Sequence, residues 1–131
     1  MRDLRELMSK LNKILKVLEK SEYSLDQSFI KNYCEDWRKK YFGTAMLIVF
    51  PKNIKTLSKV INLCNKYKIC VVPQGGNTGL VGGSVPRKNK SEIIINLKNI
   101  NKIRKVNKKS FSIIVESGCI LDSVHEHLKN F

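Results

Sequence analysis

Apolar residues near the start of the chain recur at steps of three and four: Leu4, Leu7, Met8, Leu11, Ile14, Leu15 and Leu18. That spacing sets them on one stripe of a helix, with lysines and acids filling the opposite side. A turn around Ser21–Ser24 follows, and Ser24 with Gln27 has the spacing of a capping box that opens a short second helix. Beyond Gly43 the pattern alternates strand and helix. Ala45–Phe50 is a continuous apolar run of strand length, closed by Pro51. Asn53 is a helix cap ahead of Ile54, Leu57, Val60, Ile61 and Cys64, which share one helical face. Ile69–Val72 and Ile93–Leu97 read as two further strands. Ile103–Val106 and Phe111–Val115 read as a hairpin turning on Asn107-Lys108-Lys109. Gly118 ends that unit, and 120–130 reads as a helix with Leu121, Val124 and Leu128 on its apolar side. The pattern gives an α+β fold over 43–131, preceded by an N-terminal helical segment, 1–42, with no repeat or low-complexity stretch.

Composition narrows the class. A chain of 131 residues with 42% apolar content suits a single domain with a core. No apolar run approaches the ~20 residues that span a bilayer, and no secretory signal is visible. The amphipathic start has the look of a targeting helix, but Asp3, Glu6 and Glu19 do not suit an acid-poor transit peptide. Packing onto the rest of the protein is the expectation. The four cysteines, Cys34, Cys64, Cys70 and Cys119, show no C-x-x-C pairing. Cys64 and Cys70 lie in apolar patterns and read as reduced core thiols in a cytoplasmic or similar compartment.

Charge raises a competing class. The net charge is +14, which suits a nucleic-acid binder. The basic residues, however, are mostly scattered lysines with no aromatics interleaved as stacking platforms. Only five arginines are present, and arginine is the residue suited to bidentate phosphate or base contacts. Solvated lysine faces are the preferred reading over a nucleic-acid surface, with loose attachment to an anionic membrane as a secondary one.

The sharpest chemical signal is Gly75-Gly76-Asn77-Thr78-Gly79-Leu80-Val81-Gly82-Gly83, entered through Val72-Pro73-Gln74 and left through Ser84-Val85-Pro86. Five of the chain's seven glycines fall inside it. Glycine lets another group come close to the backbone, and inward-turned N–H groups form an anion site suited to phosphate or pyrophosphate. The fingerprint G-x-G-x-x-G fails, with Asn77 and Val81 where glycine is required. A P-loop fails too, since no lysine lies between Pro73 and Pro86. Pro86 and the charged residues after it leave no helix start to assist, so the cradle must work through loop amides alone. A glycine-rich connection without a ligand is the plain alternative.

The stretch from Pro73 to Pro86 resembles the FAD pyrophosphate-binding loop of the FAD-linked oxidases with the vanillyl-alcohol-oxidase fold. Within them it is most similar to the D-2-hydroxyglutarate and D-lactate dehydrogenase branch. The resemblance runs from about Tyr33-Cys34-Glu35-Asp36-Trp37 to the end, including Ala45–Lys68, Ile93–Leu97 and Val115-Glu-Ser-Gly118-Cys119. It implies the first subdomain of a PCMH-type FAD-binding domain, with FAD as cofactor. It implies contacts to the pyrophosphate and nearby ribose from the amides of Gly75, Gly76, Asn77, Thr78 and Gly79. Thr78 Oγ1 and Ser84 Oγ are the expected side-chain donors. Pro73, Leu80, Gly82 and Gly83 shape the loop, and Gln74 faces the flavin. Asp36 and Trp37 match a family position and read as a capping acid beside a packing tryptophan.

The resemblance further implies a 2-hydroxy acid as substrate and an electron carrier as acceptor in the complete enzyme. The second flavin-contacting stretch and the metal and substrate residues are expected after residue 131, in the same chain or in a split subunit. No catalytic or metal residue is assigned here. His125 and His127 lie two apart on a helix, hence on different faces. A eukaryotic source would make the compartment mitochondrial. A truncated product without activity of its own, and a basic nucleic-acid or membrane-surface module, stay open as other classes.

Overall fold

The computed structural model describes residues 4–88, 91–129 and 131. Asp3 and the expected helix end at Asn130 lie outside them. The elements in chain order are α1 (Leu4–Leu15), a 3-10 turn (Lys20–Glu22), β1 (Tyr23–Ser24), α2 (Gln27–Lys31), β2 (Leu47–Val49) and α3 (Ile54–Tyr67). They continue with β3 (Cys70–Gln74), β4 (Glu92–Asn96), β5 (Ile103–Asn107), β6 (Ser112–Val115) and α4 (Leu121–Leu128). Helices and sheets are mixed, as the sequence pattern predicts.

The principal sheet has four strands in the order β1-β2-β4-β3. β2, β4 and β3 run parallel, and β1 joins antiparallel at the edge. Strand β4 is central, and all five of its residues are buried. Alternation along β2 and β4 divides the core in two. Leu47, Val49, Ile93 and Ile95 face Leu11 and Ile14 of α1 and Val60 and Cys64 of α3. Ile48 and Ile94 face the other way, toward Ile30, Cys34, Ala45, Phe50 and Val72. A parallel strand covered on both faces needs an unbroken apolar run, which explains Glu-Ile-Ile-Ile-Asn without polar alternation. Each of those isoleucines contributes roughly 1.5–3 kcal/mol through burial.

The described part of the N-terminal segment, 4–42, is woven into this core. It supplies β1, and α1 lies across α3 with Leu11 and Ile14 in the same cluster as β2 and β4. Buried Glu22 ties the two parts together: its carboxylate accepts from the amide of Lys52 at 2.8 Å, and its carbonyl from the amide of Phe50 at 2.7 Å.

Several local expectations change. Helix α2 is capped by Asp26, whose carboxylate accepts from Ser28 N at 2.9 Å and Ser28 Oγ at 2.7 Å, in place of a Ser24–Gln27 box. The Ser28 hydroxyl, then its amide, hold the Asp26 carboxyl below its usual range. Asn53 caps α3 through Thr56 N as expected. Cys70 is exposed rather than buried, at the start of β3, which is an edge strand. Cys64 is buried, and that burial pushes its thiol up to about 11. Phe111 falls in the hairpin turn with φ 49° and stands 96% exposed. On α4, Val124 is buried while Leu121 is exposed.

Candidate functional site

Strand β3 delivers the chain into the glycine window, and Gln74 at its end is the anchor. Its side chain is 2% exposed. Gln74 Nε2 donates to Tyr33 O at 2.9 Å and to Ser84 O at 3.0 Å. Its Oε1 accepts from Asn96 Nδ2 at 3.1 Å, and the same amide reaches Gly75 O at 3.2 Å. The bond to Ser84 ties the last residue before the window to the first residue after it. The Gln74 side-chain amide is therefore committed to the scaffold, at the edge of a cleft it shares with Gly75 and Gly76.

Asn77 is the second anchor. It sits at φ 55°, a left-handed conformation that asparagine tolerates better than most residues. Its Nδ2 donates to Glu35 O at 2.7 Å, and its Oδ1 accepts from Ser84 Oγ at 2.7 Å. The Ser84 hydroxyl proton is thus directed at Asn77. A turn closed by Val85 N to Gly82 O at 3.1 Å ends the loop.

Glu35 belongs to a tight hairpin that the sequence did not disclose. Glu35 and Phe42 bridge antiparallel, and Asp36 N donates to Tyr41 O at 3.0 Å. The buried Asp36 carboxylate folds the tip by accepting from Lys40 N and Tyr41 N at 2.7 Å each and from Arg38 N at 3.3 Å. Those amides, Tyr41 first, hold the carboxyl below its usual range. Asp36 is a capping acid as read, but Trp37 is 67% exposed and is not a packing residue. The hairpin also presses on the loop at Gly82 (φ 74°), where an added Cβ would come within 2.8 Å of the Tyr41 ring.

The other window glycines are different. A Cβ at Gly75 or Gly76 would meet its nearest neighbour only at 3.9 or 4.0 Å, and at Gly79 or Gly83 nothing within 4 Å. None of the four has a left-handed φ. Nothing in the described fold requires glycine at them. Their amides are also unspent: among the described residues, no N–H from Gly75 through Gly83 donates a hydrogen bond within the chain. Thr78 is exposed, and its hydroxyl makes no bond to a described residue. Leu80 and Val81 are exposed at the crest, and Pro73 is exposed in the edge strand.

Clefts open on both sides of Gly75-Gly76. One, about 380 Å³, is walled by Glu35, Trp37, Lys39, Asn77 and Asn96. The other, about 190 Å³, is walled by Lys98, Asn101, Gly118, Cys119 and Ser123. Gly118 allows the second wall to close in, since a Cβ there would lie 2.0 Å from Leu97 O. Lys39 stands in the first cleft beside Glu35 and Asp36, whose carboxylate is spent on the hairpin amides, and Lys98 borders the second. Free amides and unobstructed glycines form a donor set suited to a doubly charged diphosphate. His125 and His127 stand exposed on α4 and line neither cleft.

Sequence reasoning found the loop and missed its supports. Tyr41 and Asn96 reach it from distant positions, and nothing in their neighbours' spacing signals the meeting.

Known proteins are similar to this chain in sequence and in fold. D-2-hydroxyglutarate dehydrogenase of Arabidopsis thaliana, named as mitochondrial, is 40% identical over 99 residues, covering 76% of this chain and 17% of that protein. A D-2-hydroxyglutarate–pyruvate transhydrogenase of Saccharomyces cerevisiae is 35% identical over 133 residues, covering 91% of this chain and 26% of that one. The chain thus spans about a quarter or less of those relatives. Among solved structures, p-cresol methylhydroxylase superposes with TM-score 0.81 at 19% identity, over 97% of this chain and 25% of that one, so the fold is shared. The family model described as FAD binding domain matches residues 45–131, and the chain belongs to that family.

Proposed function

We propose that this chain is the part of a flavin-dependent 2-hydroxy-acid dehydrogenase, of D-2-hydroxyglutarate or D-lactate type, that holds the FAD pyrophosphate on loop 73–84. The remainder of the enzyme is supplied by a further stretch of the same polypeptide or by a second subunit. The observation that carries this reading is the pairing of unspent amides with glycines that the fold itself does not require. A residue type kept without an internal reason points to close approach from outside.

When bound, FAD supplies the acceptor for the hydride of a 2-hydroxy acid and passes the electrons to a carrier. This chain binds and orients. The amides of Gly75, Gly76, Asn77, Thr78 and Gly79 donate to diphosphate oxygens, and Thr78 Oγ1 adds a hydroxyl donor. Leu80, Gly82 and Gly83 carry the loop back across the site. Gln74, Asn77 and Ser84 fix its two ends through the bonds described above. The chain's net charge of +14 raises the local concentration of anions. No helix among the described residues is long and apolar enough to cross a membrane. We place the chain in a reducing compartment, cytosolic or mitochondrial.

Equilibrium dialysis of the purified chain against FAD tests the reading, with Gly76→Val and Gly79→Val as variants. Both side chains enter open space, so melting should hardly change while FAD retention is lost. Retention equal to the wild type in either variant overturns the cradle.

A further inference from the structure

The hairpin over 35–42 carries a feature that holding the loop does not explain. Asp36 is buried and spends its carboxylate on three amides of the tip, while the next residue, Trp37, stands 67% exposed. A tryptophan gains more from burial than almost any side chain, so leaving one in water forfeits a large apolar contribution. The tip is also rigid in an uncommon way. Lys39 sits at φ 56°, fixed by its amide to Asp36 O at 2.9 Å. The hairpin is fastened to the glycine loop at Asn77–Glu35 and at Gly82–Tyr41. Trp37 and Lys39 therefore line the same 380 Å³ cleft as Gly75, Gly76 and Asn77.

We propose that Trp37 is a stacking platform for an aromatic ring of the dinucleotide whose diphosphate lies on the loop. The proposal rests on the loop reading above and assigns it a second wall. A flat ring attached through ribose or a ribityl chain to a diphosphate at Gly75-Gly76 has the cleft in front of Trp37 as one of its two exits. Stacking on an aromatic side chain tolerates either the adenine or the isoalloxazine ring, since each presents a π-face.

Trp37 is the chain's single tryptophan, so its emission is an unmixed reporter. The test measures FAD binding to the full chain by equilibrium dialysis for wild type, Trp37→Ala and Trp37→Phe, and acrylamide access to Trp37 in the wild type. Trp37→Ala should weaken FAD roughly tenfold or more, Trp37→Phe should recover most of that, and bound FAD should shield Trp37 from acrylamide. The same series with ADP and with FMN identifies the ring: weakening of ADP assigns adenine, weakening of FMN assigns isoalloxazine. FAD binding that is unchanged in Trp37→Ala, or that leaves acrylamide access unaltered, overturns the platform while the cradle stands. No FAD binding by the wild type overturns both.

Discussion

Removing the Gln74 side chain tests the support of the loop independently of any ligand. Gln74→Ala deletes two bonds donated to Tyr33 O and Ser84 O and one accepted from Asn96, all at a residue 2% exposed. A buried hydrogen bond contributes a net ~1 kcal/mol, and partners left unsatisfied lose more, so a loss of about 2–4 kcal/mol is expected. Asn96 retains its bond to Gly75 O, and water can reach the exposed loop, which favours the middle of that range. For a chain of this length, the entropy of unfolding converts about 3 kcal/mol into a fall in Tm of about 10 °C. Thermal denaturation followed by circular dichroism measures it. Gln74→Glu sharpens the test. Near neutral pH its carboxylate would face two carbonyl oxygens, so it should be worse than alanine and should recover as acid restores a proton donor. A Tm within about 2 °C of wild type for Gln74→Ala, or no acid recovery for Gln74→Glu, would refute the reasoning.

The cysteines should react in the order of their exposure. An alkylating reagent should label Cys70 well before Cys64, read by peptide mass spectrometry, since Cys64 is buried with its thiol raised to about 11 from an ordinary 9.0. That raised value also means the unfolded chain releases the proton first, so stability should fall as pH rises through about 9 to 11, and Cys64→Ala should flatten the fall. Asp36 acts at the other end of the scale. Its carboxyl is held below 3.8, so its contribution is present above that value and lost as pH falls through the folded one. Urea titrations should therefore show the gap between wild type and Asp36→Asn narrowing below pH 3.8; parallel slopes would refute it. Gly118→Ala, whose methyl would lie 2.0 Å from Leu97 O, should cost about 1–3 kcal/mol and shift the second cleft wall; an unchanged Tm would exclude that close approach.

The core was legible in the sequence because its signals are local. The runs around Ile48 and Ile94, the Asn53 cap and the face carrying Val60 and Cys64 each follow from spacing within one element. What sequence could not show is position in the sheet. Cys70 has an apolar neighbourhood but starts an edge strand, so it meets solvent. The cap of α2 turned on a choice between Ser24 and Asp26, two oxygen acceptors in one turn, and geometry chose the nearer. At the candidate site, glycine density revealed the loop. The supports from Tyr33, Glu35, Tyr41 and Asn96 arise from tertiary meeting across as many as 42 positions, and leave no trace in local spacing.

Pro73 has a consequence outside ligand binding. It sits in β3, the outermost parallel strand, where it has no N–H to offer a newcomer, and the opposite flank, β1, is only two residues long. An isoleucine-rich parallel sheet with open borders is a template for edge-to-edge aggregation. Here each border is a poor one, because proline and brevity interrupt the row of donors and acceptors that another strand would need. The same proline that introduces the glycine window therefore also helps keep the four-stranded sheet from growing into its neighbours.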